Sequence, residues 1–345
     1  QGRYQEQDTY DDYDEPAQNT SHKRAQQPET AGKQIQQSKR MREEAEVDDD
    51  IDNDMMYGRV QKKRRARVIS VYAAKGGVGK TTTAAELAVC LALTSNGRRR
   101  FRVCVVDYNV DFGDISSTLG LDEKGPNMTY WCEVIRESIN AGKIPDDINF
   151  TRQEMEKYYL QRVDTRFEAF ALSAPIIHED SMYIGATELD VMLRNIIEFG
   201  EFDYVVCDTG NNTRDSSIIA MEKADSVLLI ATQDVTTANC NAAVLRTLRD
   251  TGFDTDKVRL VINNIMPVRE TGISVKEVEE TFPYQCVCRI KRSPDVIKAN
   301  NSGKPLVLYQ PKHDYTKQIR RIVSFVTTGE VVQEEHGKGL FGRWK

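Results

Sequence analysis

From residue 67 onward the chain alternates short apolar runs with amphipathic stretches. The runs are RVISVYAA (67–74), FRVCVVD (101–107), FEAFALSA (167–174), FDYVVCD (202–208), SVLLIAT (226–232), VRLVINN (258–264) and CVCRI (286–290). Each has strand length and too few polar positions to leave one face in water, the mark of parallel strands covered on both sides. Between them, GKTTTAAELAVCLALTS (79–95), ATELDVMLRNIIEFG (186–200) and CNAAVLRTLRDTG (240–252) read as amphipathic helices. This alternation predicts an α/β fold, a doubly wound and mostly parallel sheet with helices on both faces. No internal repeat is visible. Residues 125–165 break the rhythm with helical and polar stretches and are expected as an insertion on the rim of the sheet.

Residues 1–60 differ in kind. They are poor in aliphatic residues and hold 15 acidic against 8 basic side chains. Such a segment cannot bury enough apolar area to offset the entropy of ordering, so a disordered acidic tail is expected. Because the whole chain carries a net charge of −6, the remainder is close to neutral at about +1, and the acidic balance says nothing against anion binding by the body. A basic run, KKRRAR (62–67), leads into the first strand; residues 61–66 are read as a lead-in that either is solvated or meets an anion. The boundaries that follow are 67–328 for the folded domain and 329–345 for a flexible C-terminal tail.

No apolar run approaches the ~18 residues of a membrane-spanning helix, and no secretory leader opens the sequence, which begins at Gln1. The seven cysteines are odd in number; Cys104 and Cys207 sit in strand runs as small hydrophobes, and Cys286 and Cys288 form a lone C-x-C without the partners of a metal site. A cytoplasmic protein is expected.

The chemistry concentrates in VISVYAAKGGVGKTTTAAELA (68–88). A strand, a glycine-rich turn and a helix start follow in the order of a phosphate-binding loop. Gly76, Gly77 and Gly79 let backbone N–H groups, Val78 among them, approach an anion, and the helix start adds its positive end. Lys80 is placed for β- and γ-phosphates, the Thr81 hydroxyl for Mg²⁺, and Thr82 for the region of the α-phosphate. Ala74 stands where the general pattern has glycine. Two carboxylates end apolar strands nearby. Asp107 closes FRVCVVD and Asp208 closes FDYVVCD, both at strand C-termini, where open α/β sheets bind ligands; both are candidates for the metal's hydration shell together with Thr81.

KGGVGKTT (75–82) resembles the deviant Walker A motif of the ParA/MinD family of ATPases. The resemblance covers roughly residues 67–328. It implies ATP with Mg²⁺ as cofactors and a homodimer that sandwiches the nucleotide, with Lys75 reaching the partner's phosphates. It also implies that Asn263 contacts adenine and that Pro294 and Asp295, in the loop RSPDVIKANNSGKPL, pack near the base. Relatives commonly carry D-x-D after the strand of Asp107, the second aspartate orienting the attacking water. This chain has Asn109 there, and an amide holds water without accepting its proton. Asp111 and Asp114 are near in sequence but in a different register. Nucleotide binding with slow hydrolysis is the expectation.

Within the family, DFGDISSTLGL, ALSAPIIHEDSMYIGATELDVMLRNI and FDYVVCDTGNN are most similar to the CpaE/TadZ branch, which implies localisation or assembly of tight-adherence pili and partners in that machine. Three alternatives stay open. A partition ATPase would bind DNA nonspecifically through Arg246, Arg249, Lys257 and Arg259 or through Lys317, Arg320 and Arg321. A membrane cycler similar to MinD would use GKGLFGRWK (337–345), with Leu340, Phe341 and Trp344 beside Lys338, Arg343 and Lys345. A nucleotide-gated scaffold would dimerise without meaningful turnover.

Overall fold

A computed structural model describes residues 65–331. The acidic tail 1–60, most of the basic lead-in and the C-terminal stretch 337–345 lie outside the described residues. Eight strands form one sheet: β1 (Arg67–Tyr72), β2 (Val103–Tyr108), β3 (Gln161–Arg162), β4 (Ala169–Leu172), β5 (Tyr204–Thr209), β6 (Ser226–Ala231), β7 (Val258–Ile265) and β8 (Cys286–Lys291). Their order is β3-β4-β2-β5-β1-β6-β7-β8. Neighbours are parallel throughout except β3, which runs antiparallel to β4. All seven apolar runs are strands of this sheet. The two-residue β3 has no apolar run to announce it.

The principal helices are α1 (Lys80–Leu93), α2 (Ile115–Leu119), α3 (Met128–Asn140), α4 (Ala186–Phe199), α5 (Asp215–Glu222), α6 (Val235–Asp250), α7 (Val275–Glu280), α8 (Pro294–Asn301) and α9 (Asp314–Thr328). Successive strand residues feed opposite cores, because side chains alternate across a strand. In β2, Cys104 and Val106 pack with Trp131 of α3, Leu193 of α4 and Met221 of α5. Val103 and Val105 pack with Leu87 of α1 and Ile319 and Val323 of α9. Two such layers explain why the strands read as continuous apolar runs.

The rim insertion carries α3, a few short helical turns and β3. It is held by a ring cluster in which Trp131 stacks on Tyr159 at 4.7 Å and meets Phe150 edge-on at 5.5 Å. Arg102 joins it to the sheet: its buried guanidinium pairs with Glu156 and Glu168 and lies 4.7 Å from the centroids of Phe170 and Phe202. A buried cation is tolerable only with such partners.

The topology also places the site. β1 is flanked by β5 and β6, and the chain leaves β1 toward β2 on one side while β6 lies on the other. Strand order therefore reverses beside β1, and the C-terminal ends of β1, β2 and β5 border the crevice where such sheets take ligands.

Candidate functional site

Residues 73–79 turn from β1 into α1. Gly77 and Gly79 adopt positive φ, 74° and 96°. A Cβ on Gly79 would in addition lie 2.3 Å from the Asn263 amide nitrogen, so only glycine fits. Asparagines from three other elements hold the loop and the first turn of α1. Asn241, fully buried in α6, accepts from the Ala74 N–H at 2.8 Å while donating to the Ile230 carbonyl at 2.9 Å. Asn263 of β7 donates to the Val78 carbonyl at 2.8 Å. Asn300 of α8 donates to the Thr82 hydroxyl at 2.6 Å.

The two lysines have different surroundings. Lys80 is buried and reaches back to the Lys75 carbonyl at 3.2 Å. Burial lowers its ammonium's pKa while Asp208 pulls it the other way. Lys75 points out of the loop, and its Nζ lies 2.6 Å from Asp234, in an ion pair whose side chains are 43% and 38% exposed. Asp234 is the N-cap of α6, accepting from the N–H groups of Thr236 and Thr237. Its carboxyl is held well below the usual carboxylate range, first by Lys75 and then by Thr237.

Asp107 and Asp208 are direct register partners on the adjacent parallel strands β2 and β5. Both are buried, at 1% and 0% exposure. Asp107 accepts from the Ile115 N–H at 3.0 Å and the Asn109 N–H at 3.3 Å, which staples the turn after β2. Burial and then the neighbouring Asp208 raise its pKa well above the ordinary value. Neither Asp208 oxygen meets a hydrogen-bond partner of good geometry among the described residues. Burial pushes its carboxyl up to about 7 against the opposing pull of the Thr81 hydroxyl and Lys80. A buried carboxylate with open lone pairs, beside a second one and a threonine hydroxyl, is a partial donor set. Mg²⁺ completes such sets with water and phosphate oxygens, so these residues fit that ion. No group of three or more His, Cys, Asp or Glu able to hold a metal occurs among the described residues.

After β2, Asn109 and Asp111 are engaged by neighbours, whereas the Asp114 side chain makes no capping bond. Asn109 donates to the Phe112 carbonyl at 2.6 Å. Asp111 is tied to Arg214 at 2.5 Å and to the Ser181 hydroxyl at 3.1 Å, and Asp114 is the exposed N-cap of α2.

From the loop, a cavity of about 470 Å³ runs toward β8, lined by Gly77, Gly79 and Thr82 on one side and Ser293, Val296, Ile297 and Asn300 on the other. Two sequence expectations shift here. RSPDVIKANNSGKPL is not simply a loop: Pro294 and Asp295 open α8, whose N-cap is Ser293. The wall comes from Val296 and Ile297, while the Asp295 carboxylate turns to Lys298 and His313 at 3.3 and 3.6 Å. Asn263 borders the cavity, but its amide nitrogen is spent on Val78.

Of the basic residues singled out, Lys257 and Arg259 lie at the start of β7 and Lys317 in α9. Lys317 pairs with Asp314 at 2.7 Å, Lys257 donates to the Glu222 carbonyl, and Arg259 lies over the Phe325 ring. Asp234, Asn241 and Asn300 were not among the expected site residues. The signal for Asp234 is present in DVTTAN, an aspartate ahead of two threonines at N-cap spacing; Asn241 and Asn300 carry no comparable mark.

Ionising Asp208 in the ligand-free protein costs folding free energy, because its folded pKa is raised from 3.8 to about 7. The cost is absent below the unfolded value, grows across this window and is complete above it, so this group's effect on stability worsens as pH rises. At ~1.4 kcal/mol per unit, it amounts to roughly 4–5 kcal/mol. Asp208→Asn is therefore expected to melt at a higher temperature than the parent at pH 8, with the gap closing toward pH 4. Equal melting curves at pH 8 would show that Asp208 carries no such penalty.

A family model described as an AAA domain, AAA_31, matches residues 66–252, more than half of the chain. The septum site-determining protein MinD of Thermotoga maritima is 24% identical over 244 residues, covering 70% of this chain and 81% of the relative. The fold is similar to that of a ParA family ATPase from Chlorobium tepidum (TM-score 0.62, 18% identity, 77% of this chain and 99% of that one). It is likewise similar to the MinD of Pyrococcus horikoshii complexed with Mg-ADP (TM-score 0.58, 18% identity, 76% and 96%). By the match over most of its sheet and its phosphate loop, the chain belongs to the AAA_31 domain family, within the ParA/MinD group of P-loop proteins.

Proposed function

We propose that this protein is an ATP-dependent dimerising switch that positions or assembles a larger machine, most closely in the manner of CpaE/TadZ proteins of tight-adherence pili. The observation that carries the switch is the contrast between Lys80, drawn into the loop, and Lys75, held outside it by a half-exposed pair with Asp234. Such a pair is worth only ~0–1 kcal/mol. A second subunit's triphosphate, with more charge and stronger hydrogen bonds than one carboxylate, would capture Lys75 in trans, as arginine fingers act across interfaces. After loss of the γ-phosphate, Lys75 would return to Asp234 and the dimer would loosen.

In this reading Gly76, Gly77, Val78, Gly79, Lys80, Thr81 and Thr82 hold the phosphates, and Thr81, Asp107 and Asp208 hold the Mg²⁺ shell. Bound Mg²⁺ would offset the charge of the phosphate oxygens. Turnover would be slow, since the Asn109 amide is engaged by Phe112 and can accept no proton. The pilus assignment rests on the sequence segments that resemble CpaE/TadZ. No helix among the described residues is long and apolar enough to cross a membrane, and peripheral contact through residues 337–345 remains part of the MinD-like alternative.

One observation favours the DNA-binding alternative. A groove of about 1010 Å³ beside β8 is lined by Lys276, Arg289, Lys291, Arg292, Lys312 and Lys317 against Glu279 and Asp314. Binding of the full chain to random duplex DNA in Mg-ATP and in Mg-ADP, at two salt concentrations, separates the readings. The pilus reading expects no ATP-dependent binding; salt-sensitive binding in ATP alone would replace it with partition.

Lys75→Ala is expected to keep nucleotide affinity within about two-fold and to lose the ATP-dependent dimer in light-scattering chromatography; a retained dimer would sink the role in trans. Phosphate release by the parent is expected below ~1 per second without a partner, and Asn109→Asp is expected to raise it about ten-fold or more. An unchanged rate would leave the scaffold reading ahead.

A further inference from the structure

Across the cavity from the phosphate loop, Ser293, Val296, Ile297 and Asn300 belong to one stretch, residues 293–309, with Met266, Lys291, Arg292 and Tyr315 beside it. The stretch comprises α8, a turn through Gly303 and a one-turn helix at Leu306–Tyr309. This stretch is fastened to the phosphate-binding helix α1 at two places. The first is the contact of Asn300 with the Thr82 hydroxyl. The second is Glu86, about one turn further along α1 and 1% exposed. Its two carboxylate oxygens accept separately, one from the Leu306 N–H at 2.6 Å and the other from the Val307 N–H at 2.9 Å. Leu306 and Val307 are themselves buried, each at 2%. A third fastening joins the stretch to α2. Gly120 and Gly303 approach so closely that a Cβ on Gly120 would lie 2.6 Å from the Gly303 carbonyl oxygen, and one on Gly303 would lie 2.5 Å from the Gly120 Cα.

A buried carboxylate is an expensive way to join two elements. Burial pushes Glu86 up to about 7 even though both backbone N–H groups pull it down. An apolar side chain in α1 would give cohesion without that cost, but it would not answer two buried backbone donors. What the carboxylate adds is placement: two acceptors, a fixed distance apart, read two consecutive N–H groups and so set the position of the helical turn that ends the wall.

We propose that Glu86 is a positioning residue for the base-side wall, setting residues 293–309 against α1 so that a nucleotide's base is held in register with its phosphates. This rests on the reading of the cavity as a nucleotide site. Glu86 does not itself line the cavity; it acts through Leu306 and Val307 on the stretch that supplies Ser293, Val296, Ile297 and Asn300. The phosphate loop is pinned separately, by Asn241 and Asn263. Loosening the wall should therefore weaken a ligand in proportion to what it places beyond its phosphates.

The test compares two probes, ATP and inorganic tripolyphosphate, titrated calorimetrically into the full chain in Mg²⁺ buffer. Glu86→Gln offers one acceptor, and its NH₂ faces a backbone donor. The expected result is ATP affinity about ten-fold weaker, with tripolyphosphate affinity within about two-fold of the parent. Far-UV circular dichroism and a melting curve establish that the variant folds. Should it fail to fold, Glu86→Asp, which keeps the charge and withdraws it by one methylene, decides by the same contrast. Equal loss of both probes would make Glu86 a general support of the fold, and unchanged ATP affinity would leave it without a role in the wall; either overturns the proposal. A parent chain that binds neither probe overturns the nucleotide reading itself, a result distinct from both.

Discussion

The structure turns on two aspartates that cannot get out of each other's way. Asp107 and Asp208 are register partners on neighbouring parallel strands, spaced by the ~4.8 Å of a sheet, and both are buried. Each is pushed toward its neutral form by burial, and Asp208's charge raises Asp107 further. Asp107 accepts from two backbone N–H groups, while Asp208 feels the pull of the Thr81 hydroxyl and the Lys80 ammonium without a hydrogen bond of good geometry. Lys80 is itself buried at some cost to its ammonium. The site thus crowds two carboxyls at the foot of a loop built to receive anions. A ligand that brings a divalent cation along with its phosphates resolves both demands at once. One that brings phosphate alone adds to the repulsion.

Given that constraint, the chain needs one lysine inside and can leave the other out. Lys80 donates to the loop carbonyl of Lys75 and feels the charge of Asp208. Lys75 has no buried charge to answer and settles on the cap of α6. The cap matters because α6 begins directly after β6, whose neighbour in the sheet is β1. The element that parks Lys75 also carries Asn241, which holds the Ala74 N–H. The resting position of the outer lysine and the start of the loop are therefore both referred to α6.

Much of this was legible in the chain because it rests on local pattern. Seven strands follow from runs of apolar residues, since a strand buried on both faces admits few polar positions. The phosphate loop follows from glycine and lysine spacing, and both aspartates from their places at strand ends. What was illegible rests on contacts distant in sequence. Asn241 meets the loop from 167 residues away and Asn300 the first turn of α1 from 218, and an isolated asparagine has no periodicity to betray it. The start of α6 is obscured by Val235, Thr236 and Thr237, β-branched residues that read against a helix until the Asp234 cap answers the N–H groups of the two threonines. The family resemblance gives RSPDVIKANNSGKPL as a loop; Pro294 instead takes the first helical position of α8, where its missing N–H costs nothing.

Ala74 shows how the distant contacts govern the local motif. The general phosphate loop has glycine there, which suggests a backbone shape that an alanine would resist. In this chain Ala74 is not among the residues with positive φ, and its N–H is already claimed by Asn241. The unusual dihedrals fall later, at Gly77 and Gly79, and Gly79 is also where Asn263 leaves no room for a Cβ. Glycine is thus demanded where the loop must turn left-handed or pass close to another side chain, and at position 74 it does neither. The asparagine that takes the first N–H of the loop fixes where the turn begins, and so decides which motif positions are free to vary.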